Sequence, residues 1–583
     1  MGRTKDISRQ KRAQREAAIK TAKDFTGNSP PSIEYTQASA VEIVNHIRNG
    51  DQGWTATRVL DAYLRRALAV QDHINFMTEP LFESAFKDAK MLDEEFAATG
   101  RLRGPLHGVP ISLKDLFHVK GVDASIGYSL WANKPSHADA DVVKLIREAG
   151  GIPFVKTNVP QTLISFECSN PVFGTTANPY PSPSTGKRIF TSGGSSGGEA
   201  ALLACDGSAL GLGSDLGGSL RIPAHFCGIY SFKPTPGRIS TRGSGPSLGF
   251  ESLVVSIGPM ARSVADLKVT CELLFGKLDS KLPIPYRPGL DTFDSGRKLK
   301  FGYYLSGMFR GMAPGISTMM NQPLRAAGHE CVEFRPPKIS DALRIFIGLT
   351  AADGYRALTK PIGPDPKESF LFLVTLGPRL PGFLRSSAAW LAKTVMHDPI
   401  FAEAFRNSKI RSTLSPLAIS TIVFNVTSSP VGVIPVTRVD PSLDHITEEW
   451  KSGAIASDGT RTYPSGRRGS KILEKTLYEG FLGDPKRYDP VAMAGLPVGI
   501  QIVGRWNEDE KLMGLMKIVD DALGERGFGP GSSFKGLQFP EVPIKLDTKG
   551  IKKTNRVGKT KKTKETKETK EIKETKETKE TKE

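Results

Sequence analysis

The sequence predicts a single large α/β structure, because helix and strand patterns alternate along most of its 583 residues. Residues 40–47 and 55–64 place apolar side chains at the i, i+3, i+4 spacing of amphipathic helices. Residues 108–114, 152–156 and 495–504 are short apolar runs typical of buried strands. With 39% hydrophobic residues the chain can bury a large core, and its 59 glycines and 41 prolines are typical of a loop-rich enzyme.

Two extensions flank this predicted domain. Residues 1–35 have the pattern of a basic helix rich in Ala, Gln and Lys, and residues 36–540 contain the alternating elements. Residues 541–583 end in a Thr-Lys-Glu repeat with almost no apolar side chains. Burial cannot offset the entropy cost of ordering such a repeat. We therefore expect an N-terminal helical extension, one large domain and a disordered tail.

The formal charge of +18 is concentrated at the two ends of the chain. Residues 549–583 hold 14 Lys and Arg against 7 Glu, and a second basic cluster lies between Arg3 and Lys23. The middle of the chain is only mildly basic. We therefore expect no nucleic acid as a partner.

The cysteine and histidine patterns indicate neither disulfides nor a metal site. The five cysteines are widely spaced without a C-x-x-C pair, and none of the nine histidines has metal-ligand spacing such as H-E-x-x-H. We expect no metal, no cofactor and a cytoplasmic location, because no secretory signal and no apolar run of ~18 residues is present. Residues 425–427 match a glycosylation sequon within an apolar, strand-like run, which we interpret as a chance match.

Ser195 and Ser219 both lie in glycine-rich stretches. Glycines on both sides allow positive φ angles and leave backbone N–H groups accessible. A serine in such a loop is suited to be a nucleophile beside a site for a developing oxyanion. A flexible Gly/Ser linker is the simpler interpretation. The apolar residues that follow, 200–204 and 220–226, favour loops that are built into a core.

Lys114 is the third candidate, because a lysine in an apolar strand is unusual. Burial disfavours the ammonium form and lowers its pKa from about 10.4, so that a neutral amine can act as a base near pH 7. The alternative is a residue on an edge strand whose side chain reaches water. Among the histidines, His225 is nearest to Ser219 in the sequence and is the one to test.

Two common motifs fit poorly. Residues 193–197 match G-x-S-x-G, the nucleophile elbow of α/β-hydrolases, but that motif should follow an apolar strand and here it follows polar residues. Residues 211–217 have one residue too many before the third glycine of a dinucleotide-binding fingerprint.

Three motifs together resemble the signature of the amidase signature family of serine hydrolases: residues 108–115 (GVPISLKD), 194–199 (GSSGGE) and 213–223 (GSDLGGSLRIP). The resemblance extends over about residues 40–540. Residues 165–174, 430–437 and 494–501 are most similar to the fatty acid amide hydrolase branch. The resemblance implies a central twisted mixed β-sheet, covered by helices on both sides.

The resemblance also implies a Ser–Ser–Lys triad. Ser219 matches the nucleophile that forms the acyl-enzyme, and Ser195 matches the bridging serine, which a cis peptide holds in the family. Lys114 matches the base that takes the proton and later returns it. Leu163 matches a position that contacts the substrate. The oxyanion hole is matched by the backbone N–H groups of Leu216, Gly217, Gly218 and Ser219.

Two segments depart from the family pattern. Residues 180–191 form a longer loop ahead of the first serine, and the helix at residues 319–328 is short. It carries Pro323 in its interior, where a proline would break the hydrogen-bond ladder.

Residues 370–396 are strongly apolar with basic side chains interspersed. Two core helices separated by a Pro/Gly break would give this pattern, and so would an interfacial hairpin with Phe, Leu and Trp in lipid. Fatty acid amide hydrolases have a similar apolar cap at this place in the chain. The resemblance therefore implies peripheral membrane contact through this segment.

The resemblance predicts an enzyme that hydrolyses carboxylic acid amides, with long acyl chains favoured. An amidase of the same mechanism for small aliphatic amides is the main alternative, and a subunit of a tRNA-dependent amidotransferase fits less well. A non-catalytic binding protein on this scaffold is disfavoured because all three triad positions are present. A homodimer is compatible with the sequence, which does not define the oligomeric state.

Overall fold

Helices and strands alternate in the computed structural model of the chain, which confirms the predicted α/β class. The structure describes residues 2–25, 33–245, 253–294, 296–304, 313–334, 339–350, 353–368, 419–444 and 488–529, with isolated residues at 371–394 and 454–469. Its helices are α1 Gly2–Phe25, α2 Ile33–Gln37, α3 Ala40–Asn49, α4 Ala56–Ile74, α5 Phe82–Thr99, α6 Asp141–Glu148, α7 Gly197–Ala204, α8 Arg221–Cys227, α9 Val264–Leu274, α10 Ala313–Ala326, α11 Ile339–Thr350, α12 Arg356–Thr359, α13 Ile419–Val426 and α14 Asp509–Leu523. Its strands are β1 Met77–Pro80, β2 Pro110–Lys114, β3 Ile152–Thr157, β4 Ser169–Asn170, β5 Gly174–Thr175, β6 Leu210–Asp215, β7 Tyr230–Lys233, β8 Ser256–Ala261, β9 Lys300–Tyr303, β10 Glu330–Glu333, β11 Val431–Arg438, β12 Ala454–Ile455, β13 Arg461–Thr462, β14 Arg468–Gly469 and β15 Pro497–Val503.

A central mixed sheet contains eight of these strands in the order β1-β3-β2-β6-β8-β7-β11-β15. β2 runs parallel to β3 and to β6, and the other neighbouring pairs are antiparallel. Helices α5 to α9 and α14 pack against its strands. The mixed sheet with packed helices that the resemblance implies is therefore confirmed.

The parallel strands bring three chain ends to one edge of this sheet. β2 ends at Lys114, β3 at Thr157 and β6 at Asp215, and Lys114 is paired in register with Thr157. The carboxyl ends of neighbouring parallel strands lie on the same side of a sheet, where ligands commonly bind. The loop after β6, which contains Ser219, therefore begins beside Lys114.

The N-terminal helix α1 is fastened to the domain through polar side chains. Nζ of Lys11 lies 2.6 Å from Oε1 of Glu79 and 2.9 Å from Oδ2 of Asp123, and all three side chains are buried. Arg15 donates a hydrogen bond to the carbonyl oxygen of Met77 at 2.8 Å. Part of the basic charge at the N-terminus is therefore used in contacts within the molecule.

Both segments that depart from the family pattern lie among the described residues. The loop at residues 180–191 is closed at its base by an antiparallel bridge between Ala177 and Thr191. The helix in the second segment, α10, spans Ala313–Ala326, and Pro323 lies in its interior as the sequence indicates. Pro323 lies only three residues before the end of α10. Its missing N–H therefore interrupts only the last part of the ladder.

Asn425 lies in α13, so the prediction that residues 425–427 lie in a strand-like run is wrong. Its side chain is buried and donates from Nδ2 to Oδ1 of Asp215 at 2.9 Å. A side-chain amide with this internal partner has no room for a glycan, which agrees with the interpretation of the sequon as a chance match.

Residues 541–583 lie outside the described residues, as does most of residues 370–396. Within the latter segment Leu371 is buried, whereas Phe383 and Trp390 are exposed. Among the helices that the structure describes, none is both long enough and apolar enough to span a bilayer.

We expect Lys11→Met to lower the free energy of unfolding by about 3 kcal/mol, because it leaves Glu79 and Asp123 buried without their cation. Urea denaturation followed by circular dichroism measures this change. Lys20→Met is the matched control, since Lys20 is an exposed lysine on the same helix. Equal free energies of unfolding for the two variants would contradict a stabilising role for the Lys11 ion pairs.

Candidate active site

Lys114 ends β2 with a fully buried side chain that contacts hydroxyl groups. Its Nζ donates to Oγ of Ser195 at 2.7 Å and to Oγ of Ser214 at 2.9 Å. It also lies 3.3 Å from the carbonyl oxygen of Ser214. The edge-strand alternative is wrong, because β3 and β6 flank β2 on its two sides and close the route to water.

This environment lowers the pKa of the Lys114 ammonium group. Burial lowers the pKa of the Lys114 ammonium to about 7, and the charges of Asp215 and Glu199 and the Cys168 thiol oppose this shift only partly. The hydroxyl and carbonyl oxygens around Nζ carry no net charge that would hold the ammonium form. A substantial fraction of Lys114 is therefore neutral near pH 7.

Ser195 lies in the loop that leads into α7. The Gly194–Ser195 peptide bond is cis, as the resemblance implies for the bridging serine. The Ser196 N–H donates to the carbonyl oxygen of Ser219 at 3.2 Å, which joins this loop to the loop after β6. Ser195 and Ser219 are both buried. The structure thus brings Lys114, Ser195 and Ser219 to one edge of the sheet.

Asp215 and Arg221 hold the two ends of the Ser219 loop together. Arg221 donates from Nε to Oδ2 of Asp215 at 3.0 Å and from Nη2 to Oδ1 at 2.9 Å, and both side chains are fully buried. Burial alone would raise the pKa of Asp215, but Arg221, Lys233 and the Asn425 amide hold it well below its ordinary value. This bidentate ion pair fixes the loop that carries Ser219.

Four backbone N–H groups were predicted to form the oxyanion hole. In the structure one of the four already donates a hydrogen bond, and the other three donate none to the described residues. The Gly218 N–H donates to Oδ1 of Asp215 at 2.9 Å and is therefore already engaged. No acceptor among the described residues takes the N–H groups of Leu216, Gly217 or Ser219. These three amides remain available to a developing negative charge.

Leu163 lies in a short 3-10 turn, Gln161–Leu163, in which Thr162 and Leu163 both have positive φ angles. Its side chain is half-buried against the main core. The neighbouring Ile164 and Leu216 of the predicted oxyanion loop both pack against Tyr355 and Leu358. Part of the loop between Asp215 and Ser219 therefore lies against apolar side chains.

Glu199 is a buried carboxyl near Lys114 to which the sequence analysis assigned no role. Its oxygens accept hydrogen bonds from Ser112 at 2.5 Å and from Thr157 at 2.7 Å. Burial raises the pKa of Glu199 to about 8, although both hydroxyls and the Lys114 charge lower it. A Cβ atom at Gly211 would lie 2.2 Å from Oε2 of Glu199, so glycine is required there for space.

His225 is occupied elsewhere, because the Gly499 N–H donates to its Nδ1 at 2.9 Å. Cys168 is buried and its thiol donates to the carbonyl oxygen of Asn158 at 3.2 Å. Within the described ranges, no cluster of three or more His, Cys, Asp or Glu side chains could hold a metal ion.

Comparison with known proteins identifies the family of the chain. A family model described as Amidase matches residues 58–393, which is more than half of the chain. Fatty-acid amide hydrolase 1 of Sus scrofa is 32% identical over 544 residues, covering 84% of this chain and 86% of its own. An acetamidase of Aspergillus oryzae is 30% identical over 531 residues, covering 85% of this chain and 91% of its own.

A solved structure of a fatty acid amide hydrolase superposes with a TM-score of 0.68 at 25% sequence identity. It covers 85% of this chain and 87% of its own. The fold, the matched family residues and the full-length relatives all agree. The chain therefore belongs to the amidase signature family, and its activity is the hydrolysis of amides.

Proposed function

We propose that this amidase uses Ser219 as nucleophile, Ser195 as proton relay and Lys114 as base, and that it prefers amides with long acyl chains. The observation that carries the proposal is the buried Lys114 amine, whose Nζ lies 2.7 Å from Oγ of Ser195. A neutral amine bonded to a serine hydroxyl is a base within reach of the proton it must accept.

In the first half of the reaction, Oγ of Ser219 attacks the amide carbonyl carbon and passes its proton through Ser195 to Lys114. The unengaged N–H groups of Leu216, Gly217 and Ser219 would stabilise the tetrahedral oxyanion. When the C–N bond breaks, the Lys114 ammonium returns the proton through Ser195 to the leaving amine. The product of this half-reaction is an acyl-enzyme on Ser219 and a free amine.

In the second half, water attacks the acyl-enzyme ester. Lys114, neutral again, accepts the water proton through Ser195, and collapse of the second oxyanion returns that proton to Ser219. The carboxylic acid leaves and the starting protonation state is restored. The shift of the Lys114 pKa toward 7 supports this cycle, because one group must act as base and then as acid.

The preference for long acyl chains is supported by the apolar surroundings of the Ser219 loop. Leu216 and Ile164 both pack against Tyr355 and Leu358. Leu216 also packs against a second apolar cluster, which contains Phe346 and Ile422. The similarity to an acetamidase keeps small aliphatic amides as the second candidate class.

An amidotransferase subunit that acts on tRNA has less support. Lys11 and Arg15, two of the basic residues in α1, are buried in contacts with the domain and are not available to RNA.

We extend the proposal to a cytoplasmic enzyme with peripheral membrane contact through residues 370–396. Phe383 and Trp390 are 69% and 60% exposed, so both large apolar side chains are accessible to a lipid surface. We expect wild-type protein to sediment with anionic liposomes and the Phe383→Ser/Trp390→Ser variant to remain in the supernatant. Equal sedimentation of both proteins, or of neither, would contradict this contact.

The nucleophile is tested by Ser219→Ala, which we expect to abolish hydrolysis and labelling by a fluorophosphonate probe, because no other group replaces its Oγ.

The acyl-chain preference is tested by measuring rates on primary amides with acyl chains from two to eighteen carbons. We expect kcat/KM of wild type to rise with chain length, since each buried methylene contributes about 0.8 kcal/mol.

Ser208→Ala is the matched control for Ser219→Ala, because Ser208 is also a buried serine. Its hydroxyl donates to the carbonyl oxygen of Leu210 and not to a residue of the proposed triad. It should retain labelling and turnover. Full turnover by Ser219→Ala would refute the assignment of the nucleophile, and a maximum at two or three carbons would favour small amides.

A further inference from the structure

The hydroxyl of Thr421, on α13, contacts the loop that precedes Ser219. Its Oγ1 donates to the carbonyl oxygen of Gly217 at 2.7 Å. We propose that Thr421 is a positioning residue that orients the oxyanion-hole amides through this hydrogen bond. The inference rests on the proposed function, because it assigns a role to a residue that acts on the predicted oxyanion hole.

The bond restrains one particular peptide unit, that between Gly217 and Gly218. In a trans peptide the C=O and N–H groups point in opposite directions. The Gly217 carbonyl is held by Thr421, and the Gly218 N–H on the other side is held by Asp215 at 2.9 Å. With both ends bonded, the plane of this peptide is restrained. This restraint limits the φ and ψ angles available to Gly217 and Gly218, which orient the N–H groups of Gly217 and Ser219 in the two adjoining peptides.

The loop needs such an external restraint because it contains two successive glycines. Glycine has the largest conformational freedom of any residue, and Gly218 has a φ of +124°, which side-chain-bearing residues rarely adopt. A Cβ atom on Gly218 would lie 2.5 Å from Oγ1 of Thr421. The absence of a side chain at Gly218 therefore allows Thr421 to approach the backbone. Its hydrogen bond then restrains a loop that the two glycines leave flexible.

Thr421 is itself held in place by the ion pair that closes the Ser219 loop. Nη1 of Arg221 donates to the carbonyl oxygen of Thr421 at 2.8 Å, and Nη2 donates to Oδ1 of Asn425 at 2.6 Å. Asn425 in turn donates to Asp215 at 2.9 Å. The first and last turns of α13 are thus hydrogen-bonded to Arg221 and Asp215, and these bonds fix the position of the Thr421 hydroxyl.

The Phe346 ring fills the space beside Gly217. A Cβ atom at Gly217 would lie 3.1 Å from Cζ of Phe346. The peptide is therefore in contact with an aromatic ring of α11 and with a hydroxyl of α13, and only the hydroxyl makes a directional hydrogen bond to it. Loss of that hydroxyl frees the carbonyl to rotate without opening a large cavity.

The test compares Thr421→Val, which removes the hydroxyl at nearly constant volume, with Thr421→Ser, which keeps it. We expect Thr421→Val to lower kcat for amide hydrolysis about 10-fold, the effect of one lost hydrogen bond on the transition state. KM should change less than about two-fold, because the oxyanion forms only after binding. Thr421→Ser should recover most of kcat.

Rates are expressed per Ser219 titrated by the fluorophosphonate probe, so that loss of folded protein does not imitate loss of catalysis. Wild-type kcat in Thr421→Val, or an equal loss in Thr421→Val and Thr421→Ser, would overturn the proposal. A rise in KM at constant kcat would also overturn it. Failure of the proposed function is distinguished by Ser219→Ala, whose continued turnover would remove the oxyanion hole itself from this loop.

Discussion

Lys114 is buried at the end of a central strand, where its ammonium form has lost water without gaining an ion-paired carboxylate among the described residues. Lys156 on the neighbouring strand has a different environment. Lys156 is equally buried, but its Nζ lies 3.1 Å from Oδ1 of Asp115. One of these two neighbouring lysines is therefore held in an ion pair, while the other has only hydroxyl and carbonyl oxygens around Nζ.

The remainder of the site would provide the rigidity that the proposed base requires. Asp215 and Arg221 form a buried bidentate ion pair at the start and end of the Ser219 loop, and α13 is bonded to both. Charged groups that have partners thus form the scaffold, and Lys114, whose pKa burial lowers, lies beside Ser195, the proposed proton relay. This division follows from desolvation, which costs free energy for every charge and is offset only where a partner is present.

The sequence predicted the parts of the site that depend on local pattern. The strand that ends at Lys114 and the two glycine-flanked serines were recognised from residue type and spacing. The structure joins Lys114 to Ser195 through their side chains and joins the two serine loops through the backbone of Ser196 and Ser219. Arg221 and Asp215 were visible in the motif but had no assigned role. Thr421, Asn425 and the Lys11 ion pairs could not be predicted, because they join segments separated by 68 to 210 residues and leave no periodic pattern. Asn425 was placed in a strand because an apolar run alone does not distinguish a helix from a strand.

We infer that Lys114 has a neutral amine near pH 7, which its proposed role as base requires. The most direct test of this inference is a pH titration of the lysine ¹³Cε resonances by NMR on the full chain, with the Lys114 signal assigned by its loss in Lys114→Met. Assignment matters because burial also lowers the pKa of Lys233 to about 7. The account predicts a Lys114 midpoint near pH 7, with the ammonium form dominant below it and the amine above it. A midpoint near the ordinary lysine value of about 10.4 would contradict it.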